Sequence, residues 1–384
     1  MNAEFTPDWD PDSGEVCRDQ RAAYDKMRDH CPVAYSKSMQ WTLFRHEDIS
    51  RVLNDHETFS SVVSQHLSVP NGMDPPEHTN YRRLIEPYFS QERITAFEPA
   101  CREIAADLVQ DVLGLRQVEM MAEFALPFAV RVQCSFLGWP PELHEPLINW
   151  ISKNQAATYS QNRKTMLEVA LEFESFINKM LEIRIQSGAK PESDVTASLM
   201  HEKVNALSLN KAEIASILRN WTAGEIGTIS AAVGILAQYL ALHGTIQQKL
   251  RTQPELLPTA IDEILRIHGP LVANRRRALR PVEIGERKIN AGERIYLNWI
   301  SGNRDGHIFE EPDTFRLDRD VTKNLLYGAG IHVCPGAPLA RMELKIIMDS
   351  LLQATNRIQL VQGKPPTNAI YPSSGFATLP LEIS

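Results

Sequence analysis

Paired cysteines, an excess of basic charge and long uninterrupted apolar runs are all missing from this 384-residue chain. Its five cysteines, Cys17, Cys31, Cys101, Cys134 and Cys334, are odd in number and widely spaced, without a Cys-x-x-Cys pair. That excludes the disulfide framework of a small secreted domain and fits a reducing compartment. A formal net charge of −8 gives no support for nucleic-acid binding. The longest apolar stretch, Ile229 to Leu242, is broken by Ser230, Gly234 and Gln238. It falls short of the run of about 20 residues that a bilayer needs, so no membrane association is expected. The opening Met1-Asn2-Ala3-Glu4-Phe5-Thr6-Pro7-Asp8 is polar and acidic, without the regions of a signal peptide, and the expected location is the cytoplasm. No internal repeat, low-complexity tract or linker divides the chain. A hydrophobic content of 43% is ample for one packed core, and a single domain over 1–384 is expected.

Periodicity predicts a mainly α protein with a small β portion. Strand-like pieces fall mainly in 30–65, around Trp41-Thr42-Leu43-Phe44 and Val62-Val63, and again in 280–300. There Val282-Glu283-Ile284 and Arg294-Ile295-Tyr296-Leu297 alternate around Gly285 and Ala291-Gly292, as hairpin strands do. Residues 74–270 and 337–356 read as helical, most clearly at 100–112 and 165–185. The segment Lys211 to His243 contains no proline, so one helix of about 50 Å is expected. Asn210 and Glu213 form a capping box at its start and Gly244 a stop at its end. Gly224 and Gly227 sit in its middle, each weakening the helix by about 1 kcal/mol, which points to a close-packed ligand or a local distortion.

The chemistry concentrates at Cys334, in the run Tyr327-Gly328-Ala329-Gly330-Ile331-His332-Val333-Cys334-Pro335-Gly336-Ala337-Pro338-Leu339-Ala340-Arg341. Three glycines let the backbone approach a flat ligand. A helix starting near Ala337 places its N-terminal N–H groups beside the sulfur, an arrangement that favours thiolate. One axial thiolate holds some haem irons and favours cleavage of a bound O–O bond.

This run resembles the haem-binding loop of the cytochrome P-450 superfamily, Phe-x-x-Gly-x-(His/Arg)-x-Cys-x-Gly followed by Leu-Ala-Arg. Gly330, His332, Cys334, Gly336, Leu339, Ala340 and Arg341 match, and Tyr327 stands where Phe is usual. Glu263-Ile264-Leu265-Arg266 is similar to the family's Glu-x-x-Arg motif, a structural ion pair. Asn303-Arg304-Asp305 and Pro312-Asp313-Thr314-Phe315-Arg316-Leu317-Asp318-Arg319 resemble two further structural segments, and Arg319 is placed to reach the Glu263/Arg266 pair. Asp74-Pro75-Pro76-Glu77-His78-Thr79-Asn80-Tyr81-Arg82-Arg83 resembles a segment whose His and Arg, one helical turn apart, bind a haem propionate. By the same resemblance His78, Arg82, Arg276 and His332 form the propionate set. Read from residues alone, Arg275, Arg276 and Arg277 also fit a solvated basic turn.

The long helix departs from the pattern. Against (Ala/Gly)-Gly-x-(Asp/Glu)-Thr, alignment on Ala223-Gly224 puts Ile226 and Gly227 at the acid and alcohol positions, and neither transfers protons. A second register takes Thr228 as the alcohol and Glu225, one turn earlier, as the acid. Both registers stay open, as does an ordinary structural role for either residue.

The resemblance implies a triangular prism of helices around a buried haem b, with Cys334 as proximal iron ligand and Gly336 beside it. It implies a monooxygenase that uses O2 to hydroxylate or dealkylate a small apolar organic substrate held by the long helix, Ser61 to Gly72, Leu271-Val272-Ala273 and Phe376. No flavin or iron–sulfur region fits within the chain, so a ferredoxin and its reductase are the expected electron donors, with Arg83, Arg341 and Lys345 as docking contacts. A peroxide-driven peroxygenase, or a non-enzymatic haem carrier or sensor, is the alternative.

Overall fold

A computed structural model describes residues 6–160, 162–192, 194–371 and 373–384. Helices dominate, and a five-stranded sheet lies to one side. Its strands are β1 (Val33–Ser36), β2 (Gln40–Leu43), β3 (Phe59–Ser60), β4 (Ala273–Ala278) and β5 (Arg294–Asn298), in the order β1-β2-β5-β4-β3. The β2–β5 pairing is parallel and the others are antiparallel. The apolar side chains Trp41, Leu43, Ile295 and Leu297 are buried, and Phe59 and Trp299 join the same cluster.

The helices that position the site are α1 (Glu77–Ile85), α2 (Gln91–Leu113), α3 (Leu126–Leu137), α4 (Arg163–Ser187), α5 (Lys211–Leu242), α6 (Leu257–His268) and α7 (Ala337–Ala354). Helix α5 starts on the expected capping box: the Asn210 side chain accepts from Glu213 N at 3.0 Å, and Glu213 Oε2 accepts from Asn210 N at 2.7 Å. It runs unbroken through both central glycines. Gly244 does not stop it; His243 leaves the helical conformation, and Gly244 opens the next helix. Ile217, Leu218, Ile226, Val233, Leu236 and Leu240 bury α5 in the core against α3, α4 and α7, while α2 packs along α7. By length and hydropathy Lys211–Leu242 and Met120–Leu137 are each apolar enough to cross a bilayer, yet 67% and 61% of their apolar windows are buried inside the protein.

Three local expectations differ from the structure. Val282–Ile284 pairs with Arg287–Ile289, not with Arg294–Asn298, because Gly285 and Glu286 both adopt positive φ and close a two-residue turn. The three arginines 275–277 lie in β4 between β5 and β3, not in a turn; strand alternation buries Arg276 and leaves Arg275 exposed. The β-rich 30–65 region also carries a helix, His46–Asn54, and Val62-Val63 lies outside any strand.

Candidate functional site

A buried ion network fixes the loop that ends in Cys334. Arg266 donates to Glu263 at 2.7 and 2.9 Å, with side-chain exposures of 1% and 5%. Arg319 donates to the same carboxylate at 2.8 Å, as the resemblance implied. Arg266 also donates to the carbonyls of Asn303 and Pro312 at 2.6 and 2.8 Å. Asn303 Oδ1 accepts from Leu325 N at 2.7 Å, two residues before Tyr327. Helix α6, the Asn303 segment and the approach to the cysteine loop are thereby held as one unit.

Within the loop, Tyr327 O accepts from Cys334 N at 2.9 Å, and the Arg341 guanidinium lies 4.4 Å over the Tyr327 ring. Gly330 is at φ 69°, where a Cβ would run into the Leu53 carbonyl, so a side chain there is excluded on both counts. Cys334 is exposed as a residue, yet its thiol is closely surrounded by protein. The expected lowering of its pKa is corrected by the structure. Burial pushes the thiol up, with the Glu225 carboxyl acting the same way, and the Gly336 and Ala337 N–H groups pull back only part of that shift. The helix N-terminus is present as expected, but desolvation outweighs it.

Four cationic or hydrogen-bonding groups converge nearby. The His78 and His332 rings lie 4.2 Å apart. His78 is 2% exposed, and neither of its ring nitrogens has a partner among the described residues. His332 Nε2 meets Ser61 Oγ at 2.9 Å, and burial followed by Arg276, His78 and Arg82 pushes its pKa down to about 3. Arg276 is 5% exposed and is lowered to about 10 by burial, with Asp74 opposing. Its Nη1 donates to the Arg275 carbonyl, and Arg82 is paired with Glu86 at 2.9 Å. Groups of one sign that disfavour each other's charge, around an unpartnered histidine, form a site built for an anion. All four expected residues are brought together here. A haem with its carboxylates fits these donors, and Cys334 and Gly336 fit its iron side.

The opposite wall is α5. Gly224 is exposed in mid-helix, and a Cβ on Gly224 or Gly227 would meet nothing within 4 Å. A flat ligand can therefore lie against the helix. Thr228 Oγ1 donates to the Gly224 carbonyl at 2.5 Å, turning the hydroxyl back on its own helix. Glu225, one turn earlier, is raised to about 7 by burial, with the Glu343 carboxyl of α7 pulling the other way. Sequence reasoning missed Glu343; in Arg341-Met342-Glu343-Leu344 it reads as an ordinary helical glutamate, and only the packing of α7 on α5 reveals it.

Of the expected substrate wall, Ser61 to Gly72 is tied to α5 by bonds from Val69 N to Ser216 Oγ at 2.9 Å and from Asn220 Nδ2 to Val69 O at 2.9 Å. Phe376 approaches α5 at Gly234. Val272 does not fit the expectation: it is 1% exposed and packs in a separate cluster with Tyr24, Phe44 and Ile300.

Residues 134–384 match the cytochrome P450 family model. The chain is 30% identical to the putative cytochrome P450 YjiB of Bacillus subtilis over 360 residues, 90% of each chain. It is also 30% identical to the cyclomarin C epoxidase CymV of Salinispora arenicola, over 88% of this chain and 89% of the relative. The fold is similar to that of CYP109Q5 from Chondromyces apiculatus, with a TM-score of 0.86 at 26% identity over 97% of both chains. It is also similar to CYP109E1 from Bacillus megaterium in complex with corticosterone, with a TM-score of 0.85 at 25% identity over 96% of this chain and 99% of the other. The chain belongs to the cytochrome P450 family. It is accordingly a haem-dependent monooxygenase that acts on an organic substrate with electrons from a redox partner.

Proposed function

We propose that this protein is a single-domain, cytoplasmic haem-thiolate monooxygenase in which Cys334 is the axial ligand of haem b. His78, Arg82, Arg276 and His332 hold the haem carboxylates, and Gly336 gives the macrocycle room beside the sulfur. The observation that carries this reading is the convergence of Cys334 with a cationic cluster in which the buried His78 has no hydrogen-bond partner among the described residues. When bound, the haem supplies the oxygen-activating chemistry. The protein's own residues orient the substrate and manage protons. Thr228 and Glu225 are the relay groups on α5, with Glu225 holding a proton near neutrality because burial disfavours its charge.

The substrate is an apolar organic molecule lying between α5, the Ser61 to Gly72 segment and Phe376, and the reaction is hydroxylation or oxidative dealkylation. Relatives named as cyclomarin C epoxidase and as mycinamicin IV hydroxylase/epoxidase, together with the corticosterone complex of a structural neighbour, support a substrate larger than a simple hydrocarbon. Electrons come from a ferredoxin and its reductase. On the docking face Arg83 is exposed, Arg341 is half-exposed but paired with Asp262 at 3.0 Å, and Lys345 is partly buried. Arg83 is therefore the strongest of the three contacts for an acidic partner.

A peroxide-driven reaction is the second reading, favoured by Ile226 and Gly227 at the usual acid and alcohol positions. Turnover of a binding substrate under isotopically labelled O2, with NAD(P)H, ferredoxin and reductase, tests the choice. One labelled oxygen atom per product supports the monooxygenase; product formed only with hydrogen peroxide overturns it.

A further inference from the structure

Arg28, Arg184, Arg266 and Arg304 are buried, and each has a carboxylate within ion-pair distance. Arg276, also buried, belongs to the anion site around His78 and His332. Arg219, partly buried in the first half of α5, has neither arrangement. Its Nη2 donates to the Leu67 carbonyl at 2.6 Å, its one hydrogen bond among the described residues. No carboxylate of a described residue lies within 4.0 Å of it, and Glu174 of α4 acts on it only from farther away. Burial pushes the guanidinium down, as it does a charge held from water without a close anion. A guanidinium offers five N–H donors in a planar fork that matches a carboxylate. Most of that fork is unused at Arg219.

Arg219 stands at one end of the open face of α5. Ser216 and Asn220, one turn apart, tie the neighbouring segment to the helix: Ser216 Oγ donates to Leu67 O at 3.0 Å and Asn220 Nδ2 to Val69 O at 2.9 Å. The same four-residue step continues to Gly224 and Thr228, and the stripe beside it runs through Arg219, Ala223 and Gly227. Beyond Arg219 these positions are small, and a Cβ on Gly224 or Gly227 would meet nothing within 4 Å. From Arg219 to Gly227 the helix advances about 12 Å. A cation at the head of an open, small-residue face, beside the anchored Leu67 to Val69 backbone, makes a long slot with one charged end.

We propose that Arg219 is a substrate-binding residue that selects organic acids: the substrate's carboxylate takes the free edge of the guanidinium, and its apolar body runs along α5 toward Gly224 and Gly227. Two parallel N–H···O bonds fix the acid end. The carbon presented to the haem is then the one about 12 Å away along the slot, not the carbon next to the carboxylate. The Leu67 carbonyl holds the guanidinium in place for this contact. This assignment rests on α5 and the Ser61 to Gly72 segment forming the substrate pocket of a haem-thiolate enzyme.

The test is an optical titration of the ferric, haem-loaded protein with decanoate and with methyl decanoate, for wild type, Arg219→Leu and Arg219→Gln, after the ferrous carbonyl band of each has been recorded. Decanoate, extended, spans about the length of the slot and carries one carboxylate; the ester keeps the apolar body without the charge. Wild type is expected to bind the acid more tightly than the ester. Arg219→Leu weakens decanoate by about tenfold to a hundredfold and leaves the ester within about twofold. Arg219→Gln keeps an amide N–H for the Leu67 carbonyl and weakens decanoate to the same degree. A wild type that binds decanoate no better than its ester, or not at all, overturns the proposal. Equal loss of both probes in the variants overturns it too, since Arg219 is then only a tie for the Leu67 segment. Should Arg219→Leu fail to fold, an Arg219→Gln protein with unchanged decanoate affinity overturns it alone. A thiolate-type carbonyl band without acid preference removes Arg219 from the substrate site and leaves the haem reading standing; absence of that band removes the haem reading and this assignment with it.

Discussion

Replacing Glu263 with alanine removes the anion shared by two buried guanidiniums. Glu263 accepts from Arg266 twice, at 2.7 and 2.9 Å, and from Arg319 at 2.8 Å, with side-chain exposures of 5%, 1% and 8% for Glu263, Arg266 and Arg319. After truncation Arg266 keeps the carbonyls of Asn303 and Pro312 and the Phe309 ring, 4.9 Å away, none of which carries a compensating charge. Stripping one partner from a buried pair costs about 3–5 kcal/mol. Near-complete burial on both sides and a second arginine on the same carboxylate place this case in that range. Glu263→Gln keeps an acceptor and loses the charge, so about 1.5–3 kcal/mol is expected. The half-exposed pair Lys153–Glu172, at 2.8 Å, is the control, and Glu172→Ala should change stability by less than about 1 kcal/mol. Urea unfolding read by far-ultraviolet circular dichroism, with the slope against denaturant unchanged, gives each difference. A Glu263→Ala loss no larger than that of Glu172→Ala would show that the pair is not the clamp described.

Arg276→Ala should weaken haem binding by about tenfold to a hundredfold, the worth of one charge-assisted bond, without lowering the melting temperature of the haem-free protein, because burial already disfavours its charge. A destabilised apoprotein with unchanged haem affinity contradicts that role. Thr228→Ala should let NAD(P)H oxidation continue while product per NAD(P)H falls about tenfold or more; unchanged coupling removes Thr228 from the relay. Glu225 adds a pH signature. Its carboxyl is raised from 4.5 to about 7, so between those values the folded state binds the extra proton and stability falls as pH rises. The melting temperature of Glu225→Gln relative to wild type should therefore increase across that window, and a flat or falling difference refutes the assignment.

What was legible in the sequence was local or fixed by spacing. Asn210 and Glu213 lie three residues apart and cap each other in the structure. Glu263 and Arg266 share a helix face because of their i, i+3 spacing, and the cysteine loop carries its geometry in its glycines. What was hidden depends on partners far along the chain. Arg275 to Arg277 also fit a solvated turn until β3 and β5 pair on either side of them. Val272 lies in an apolar run beside the expected pocket, yet packs toward Tyr24 and Phe44. Glu343 looks like a surface helix residue, and only the crossing of α7 and α5 seals it against Glu225. The thiol of Cys334 shows the same limit: the helix N-terminus is visible in sequence, but the burial that outweighs it is not.

The ferrous carbonyl spectrum of the purified, haem-loaded protein and of Cys334→Ser tests the central assignment most directly. A thiolate-type band in wild type that disappears in Cys334→Ser is the predicted result. A wild-type spectrum of the imidazole-ligated kind, or a thiolate-type band that survives the substitution, contradicts it.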